Sequence, residues 1–139
     1  SDLVLNSPEP RTPEDEEIMR QHTLLGARML EELDAYRDED FVRVAYQICR
    51  WHHERYDGSG YPDQLVGEQI PIAAQVVGLA DAYETLTTGS GSQPPVPCAA
   101  AVQMLCTGEA GAFNPVLLDC LREIENEIDD AMRRRPETL

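Results

Sequence analysis

The sequence predicts an all-α fold on three observations. Apolar residues recur at intervals of three and four through most of the chain. The periodic stretches open on prolines or capping residues and are separated by breakers rich in glycine and proline. No stretch alternates apolar and polar residues over the length of a strand. Only around Leu65 to Ile70 does the pattern allow a residue or two of extended pairing.

The elements follow in order. Residues 1 to about 12, with Pro8 and Pro10, read as an extended lead-in. Thr12 before Pro13 starts a helix, because the hydroxyl can cap and proline at the first position gives up an N–H that has no helical acceptor. Glu14, Asp15, Glu16 and Glu17 occupy that first turn, where the helix dipole favours negative charge. Ile18, His22, Leu25, Met29 and Leu33 then recur at helical spacing, which places His22 on the apolar face. A second helix is expected from about Glu39 to His53, with Val42, Ala45, Ile48, Cys49 and His52 inward. Pro71 opens a third, whose expected buried stripe is Ala73, Val76, Val77, Ala80, Tyr83 and Leu86, with Asp81 beside it. TTGSGSQPPVP, residues 87–97, breaks the chain. A fourth helix is expected over about Pro97 to Thr107. A fifth is expected over about Pro115 to Arg134, with Val116, Leu117, Cys120, Leu121, Ile124 and Ile128 inward. Arg133, Arg134 and Arg135 suit the C-terminal end of its dipole better than a nucleic-acid patch.

At 139 residues, 42% of them hydrophobic, the chain fits one domain with one core. Eleven basic against 26 acidic side chains give a net charge of −15. Such a field disfavours nucleic acid and anionic membranes, since no basic stripe is present to neutralise phosphates. A small anionic substrate remains compatible, because a bound divalent cation reverses the local field. Cys49, Cys98, Cys106 and Cys120 show no C-x-x-C spacing and are expected to be buried, reduced thiols. The start, SDLVLNSPEP, has no export signal, and no run approaches the roughly 20 apolar residues of a membrane span. A cytoplasmic location is expected.

The chemistry concentrates in WHHERYDGSGYP, residues 51–62, which holds two of the three histidines. On one helix the adjacent His52 and His53 point about 100° apart, so they suit two neighbouring ions better than one H-E-x-x-H site. Imidazole with carboxylate is a ligand set for Fe, Mn, Zn or Ni, and the lack of paired thiolates disfavours a structural zinc. Spacing alone favours a hydrogen-bonded core histidine for His22 over a ligand. Asp81 beside an apolar stripe needs either a cation or exposure to water. Glu54 reads as a group orienting a histidine or as a helix-end acid. In DGSGYP the glycines permit positive φ and the proline fixes the exit.

HHERYDGSGYP, followed by LVGEQIP at 65–71 and ADAYETLTT at 80–88, resembles the HD-GYP family. This is a branch of the HD-domain metal-dependent phosphohydrolases that hydrolyse the bacterial second messenger cyclic di-GMP. EDEEIMRQHTLLGARML, residues 14–30, resembles the family's helix carrying a ligand histidine. GAFNPVLLDCL, residues 111–121, resembles its closing segment, with Asn114 where aspartate is usual. The resemblance implies an HD-domain-like helical bundle with a C-terminal helical hairpin, forming one domain over 1–139. It implies that His22, His52, His53 and Asp81 are ligands of a divalent transition metal, Fe, Mn or similar. Asp57, Gly58, Gly60, Tyr61 and Pro62 become the signature loop at the site, and cyclic di-GMP and GGDEF-type domains become the partners.

Three departures qualify that picture. The family's His-Asp pair lies upstream of the segment matched by SDLVLNSPEPRTPEDEE, so the domain is expected to be truncated at its N-terminus. Glu84 stands where aspartate is usual. The loop at 87–97 carries no Arg or Lys, although the family places basic residues there. The expectation is a phosphodiesterase-type domain, incomplete or degenerate as this chain. The alternative is a non-catalytic regulatory or interaction module that keeps the fold.

Overall fold

A computed structural model describes residues 12–36, 38–89 and 93–134. Helix α1 (Pro13–Glu31) opens on a capping box: the Asp15 N–H donates to the Thr12 hydroxyl, and the Asp15 carboxylate accepts from the Thr12 N–H at 3.0 Å. Such a cap stabilises a helix end by about 1 kcal/mol. A short 3-10 turn (Asp34–Tyr36) leads to α2 (Asp40–Trp51). The loop that follows contains a 3-10 turn (Gly67–Gln69) and one antiparallel bridge between Asp57 and Val66, which is the extended pairing expected near Leu65. Then come α3 (Ile72–Thr88), α4 (Cys98–Thr107), α5 (Pro115–Glu123) and α6 (Glu125–Arg133). The chain is all-α, as expected. The lead-in at 1–11, the tip of the 87–97 breaker at 90–92 and Arg135 lie outside the described residues, as does the side chain of Arg133.

Successive helices pack on one another from α1 to α4, and α4 packs on both α5 and α6. The main core is Leu79 and Tyr83 of α3, Ala101, Val102 and Leu105 of α4, Phe113, and Leu121 of α5. Leu105 is 1% exposed. A core of this kind holds the C-terminal half firmly beneath the loop after α2.

Four expectations need correction. The large apolar residues of α1 do not face inward: Ile18, Leu25, Met29 and Leu33 are exposed, and Thr23 and Ala27 are buried instead. The cause is close helix packing through small side chains, for a Cβ at Gly26 would sit 3.4 Å from the Cβ of Cys49 on α2. On α3 the buried face is Ala74, Gln75, Gly78, Leu79 and Tyr83, whereas Val76 and Ala80 point outward. That helix is apolar nearly all round, so periodicity could not choose the face. The fifth expected helix is two segments, interrupted at Ile124 (φ −99, ψ 7), which lets Leu121 and Ile128 both reach the core. Finally, the four free thiols are not fully buried, and Cys120 is exposed.

Candidate metal centre

Helix α2 closes at Trp51, with His52 as its C-cap and His53 already in the turn beyond. The divergence expected of adjacent residues on a helix therefore does not apply. The His52 and His53 ring centroids lie 4.1 Å apart, and His22 of α1 meets them at 5.3 and 5.0 Å. One ligand nitrogen from each of His22, His52 and His53 falls within 4.8 Å of the others, so the imidazoles expected to serve neighbouring ions form a single cluster. Asp81 stands at its edge, with Oδ2 4.0 Å from His53 Nδ1. It gets there because α3 presses its glycine against the end of α2. A Cβ at Gly78 would lie 2.3 Å from the His52 carbonyl oxygen, and Asp81 is one turn further along.

Hydrogen bonding fixes what the cluster offers. His52 Nδ1 donates to the Ile48 carbonyl at 2.8 Å, and His22 Nδ1 bonds the Met19 carbonyl. A carbonyl oxygen only accepts, so both protons sit on Nδ1 and both Nε2 atoms present lone pairs. Those two Nε2 atoms face each other at 3.3 Å. Two acceptors so placed repel unless a proton or a metal cation lies between them. Bonds of about 2.0–2.1 Å from one ion to two imidazole nitrogens separate the nitrogens by roughly 2.9 to 3.4 Å, between right-angle and tetrahedral geometry. The observed spacing falls in that interval, and the donor set fits a divalent transition metal.

His53 is also prepared as a neutral donor. Burial, and then the charges of His52, His22 and Arg55, push its pKa down to about 3. Tyr61 of the signature loop stacks on its ring at 4.9 Å, and the Arg20 guanidinium lies 5.0 Å from the Tyr61 ring centroid. The loop holds itself in place: Asp57 accepts from both the N–H and the hydroxyl of Ser59, and Gly58 takes φ 81. At Gly60 a Cβ would come within 2.4 Å of the Glu54 and Arg55 backbone, so only glycine fits. Pro62 follows Tyr61 through a cis peptide.

Glu54 serves this loop and not an imidazole. Buried, it accepts from Asp63 N–H at 2.7 Å with one oxygen and from Leu65 N–H at 3.1 Å with the other. A second clamp joins Arg50 and the Trp51 indole to the Asp63 carboxylate, which is held below the usual carboxylate range first by Arg50.

The cluster lines a cleft of about 800 Å³, walled by α1, α3 and α4 and by Glu109 and Ala110. Sequence reasoning passed over Arg55, which also lines this cleft. Its signal was its place directly after the histidine-histidine-glutamate run.

A family model described as "HD domain" matches residues 3–116. A cyclic di-GMP phosphodiesterase of Thermotoga maritima is 32% identical over 133 residues, covering 96% of this chain and 35% of that protein. A probable cyclic di-GMP phosphodiesterase of Vibrio cholerae is 35% identical over 135 residues, covering 95% and 31%. A 3'3'-cGAMP-specific phosphodiesterase 2 of the same organism is 29% identical over 122 residues, covering 88% and 23%. The chain thus spans about a third or less of the length of these relatives.

Proposed function

The chain belongs to the HD domain family, and on that premise we propose that it forms the metal-binding part of a phosphodiesterase-type domain acting on a cyclic dinucleotide of the cyclic di-GMP class. His22, His52, His53 and Asp81 are the ligands in this reading. The observation that carries it is the convergence of the His22 and His52 Nε2 atoms at 3.3 Å, with His53 in the same cluster, at a spacing that suits two nitrogens on one ion.

A divalent ion there would act as a Lewis acid on phosphoryl oxygens and acidify water. The chain's own residues do the rest. Carbonyls of Met19 and Ile48 hold the His22 and His52 tautomers, which raises the basicity of the ligating nitrogens. Tyr61 covers one face of the His53 ring and shields it from water. The cleft volume lies in the range of about 300–1,000 Å³ that holds small ligands. The relatives named for cyclic di-GMP and for 3'3'-cGAMP share a cyclic dinucleotide diester, and that class is the substrate proposed here.

A second reading keeps the fold and the ion but not the turnover, as a regulatory or protein-interaction module. It is favoured by the loop at 87–97, which brings neutral Gln93 to the cleft wall and no cation. Metal analysis of the full-length protein, with hydrolysis assays on cyclic di-GMP and 3'3'-cGAMP, separates the two. Bound divalent metal that is lost in His22→Ala and His52→Ala, with hydrolysis lost alongside, is the expected result. Metal without turnover on either nucleotide sinks the catalytic reading and leaves the regulatory one. A wild-type protein that takes up no divalent metal overturns both.

A further inference from the structure

All eleven basic residues of this chain are arginines, set among 26 acids. Among the described residues Arg43, Arg50, Arg122 and Arg134 each pair with an aspartate at 2.7 to 3.7 Å. Arg55 does not. Among the described residues no carboxylate lies within ion-pair distance of its guanidinium, although it is half-buried in the cleft wall. It is the one Arg or Lys among the described residues lining that cleft, which it shares with His22, His52, His53 and Asp81.

The side chain is nonetheless held firmly. The guanidinium carbon lies 4.9 Å from the Phe113 ring centroid, and one amino group donates to the Glu54 carbonyl at 3.2 Å. Gly111 passes beneath it so closely that a Cβ there would stand 2.8 Å from Arg55 Nε. The backbone beside it is pinned too, since the Tyr56 N–H donates to the Ala112 carbonyl at 2.9 Å. Phe113 and Gly111 therefore form a seat that fixes the planar fork. A purely structural role would account for the stacking and the carbonyl bond. It leaves most of the five N–H donors without a partner, and Asp81, Asp57 and Glu54 act on the charge only from beyond ion-pair distance while burial opposes it.

We propose that Arg55 is a substrate-binding residue whose guanidinium receives a phosphate oxygen of a phosphodiester lying in the cleft against the histidine cluster. Forked N–H donors match two oxygens of one phosphate, and an anion bound there supplies the direct ion pair that Arg55 lacks among the described residues. The inference rests on the cyclic-dinucleotide reading of the cleft. It adds that the positive field needed to hold the diester comes partly from the turn after α2, so affinity survives in a loop at 87–97 that lacks basic residues.

The test is equilibrium binding of cyclic di-GMP to the full-length, metal-loaded protein, with inorganic phosphate as competitor, for wild type, Arg55→Gln and Arg55→Lys. Metal content and circular dichroism are measured on the same samples. Arg55→Gln is expected to weaken binding about 10- to 100-fold at unchanged metal content, and phosphate should compete less well. Arg55→Lys keeps the charge without the fork, and is expected to recover only part of the loss. It also keeps the test open if the glutamine variant does not fold. Wild-type affinity in Arg55→Gln overturns the inference and leaves the reading of the cleft intact. Equal losses in both variants, with metal lost as well, assign Arg55 a structural role and overturn it too. A metal-loaded wild type that binds no cyclic di-GMP overturns the reading of the cleft and the inference with it.

Discussion

At Glu54 the carboxylate accepts two backbone N–H groups at once, one with each oxygen, and only an acceptor on both sides can do that. This residue decides the position of the signature loop, because Asp63 and Leu65 flank the exit of that loop. Glu54→Gln is close to isosteric but turns an NH2 group toward one of the two N–H donors, leaving a buried donor unmatched at a cost of about 1–3 kcal/mol. The urea midpoint should fall accordingly with an unchanged slope, and an unshifted midpoint would show that the loop is anchored elsewhere. Asn114 illustrates the opposite chemistry. Its amide donates to Gln75 Oε1 at 2.8 Å while its oxygen caps α5 through the Val116 N–H. An aspartate could supply the cap but not the donated bond, so the amide here is matched to Gln75, which itself donates to the Ile70 carbonyl. The Glu54 clamp and the Asn114–Gln75 bond were not legible beforehand, since their partners are brought together by tertiary structure, at separations of 9, 11 and 39 residues.

The packing of α2 and α3 shows which parts of an element the sequence reveals. Helix starts were legible because their signals are local: Thr12 with Pro13, and Pro115. Helix faces were not, because α1 and α3 approach their neighbours through Thr23, Gly26, Ala27, Ala74 and Gly78, small residues that hydrophobic periodicity undervalues. Close approach at Gly78 is what carries Asp81 to His53. A methyl group at this point would meet the His52 carbonyl oxygen at 2.3 Å, well inside van der Waals contact, and backbone cannot rotate away as a side chain can. Gly78→Ala is therefore expected to part the two helices, destabilise the fold by about 1–3 kcal/mol and move Asp81 from the cluster. Thermal unfolding reads the first effect and cobalt titration of the folded variant reads the second, as an affinity lowered about 10-fold or more. Wild-type values for both would mean that the junction tolerates a methyl group and that Asp81 is positioned by something else.

Across the whole molecule, His22, His52, His53 and Asp81 come from α1, the end of α2 and α3, joining residues up to 59 positions apart in sequence. Which residues belong together was legible in the motif resemblance, while their meeting in one cluster was not, because it depends on α2 stopping at Trp51. The same arrangement has a thermodynamic consequence. Without a cation the fold holds two lone pairs in opposition, which opposes folding, and His53, its pKa pushed down to about 3 by burial, adds a further cost only as pH falls below 6.5. A cation bonded across three elements binds the folded chain and has no such site in the unfolded one, so it stabilises by mass action. At a free metal concentration of 100 times the dissociation constant the gain is about 2.7 kcal/mol, which for a domain of this size raises the unfolding midpoint by roughly 10 °C. Calorimetry with and without chelator should show that difference in the wild type. His22→Ala removes one of the opposed lone pairs, so its chelated form should lose less than an ordinary part-buried truncation does, and its midpoint should no longer respond to metal. A wild-type midpoint indifferent to chelator would mean that the three elements are held by packing alone and that the cluster ties nothing together.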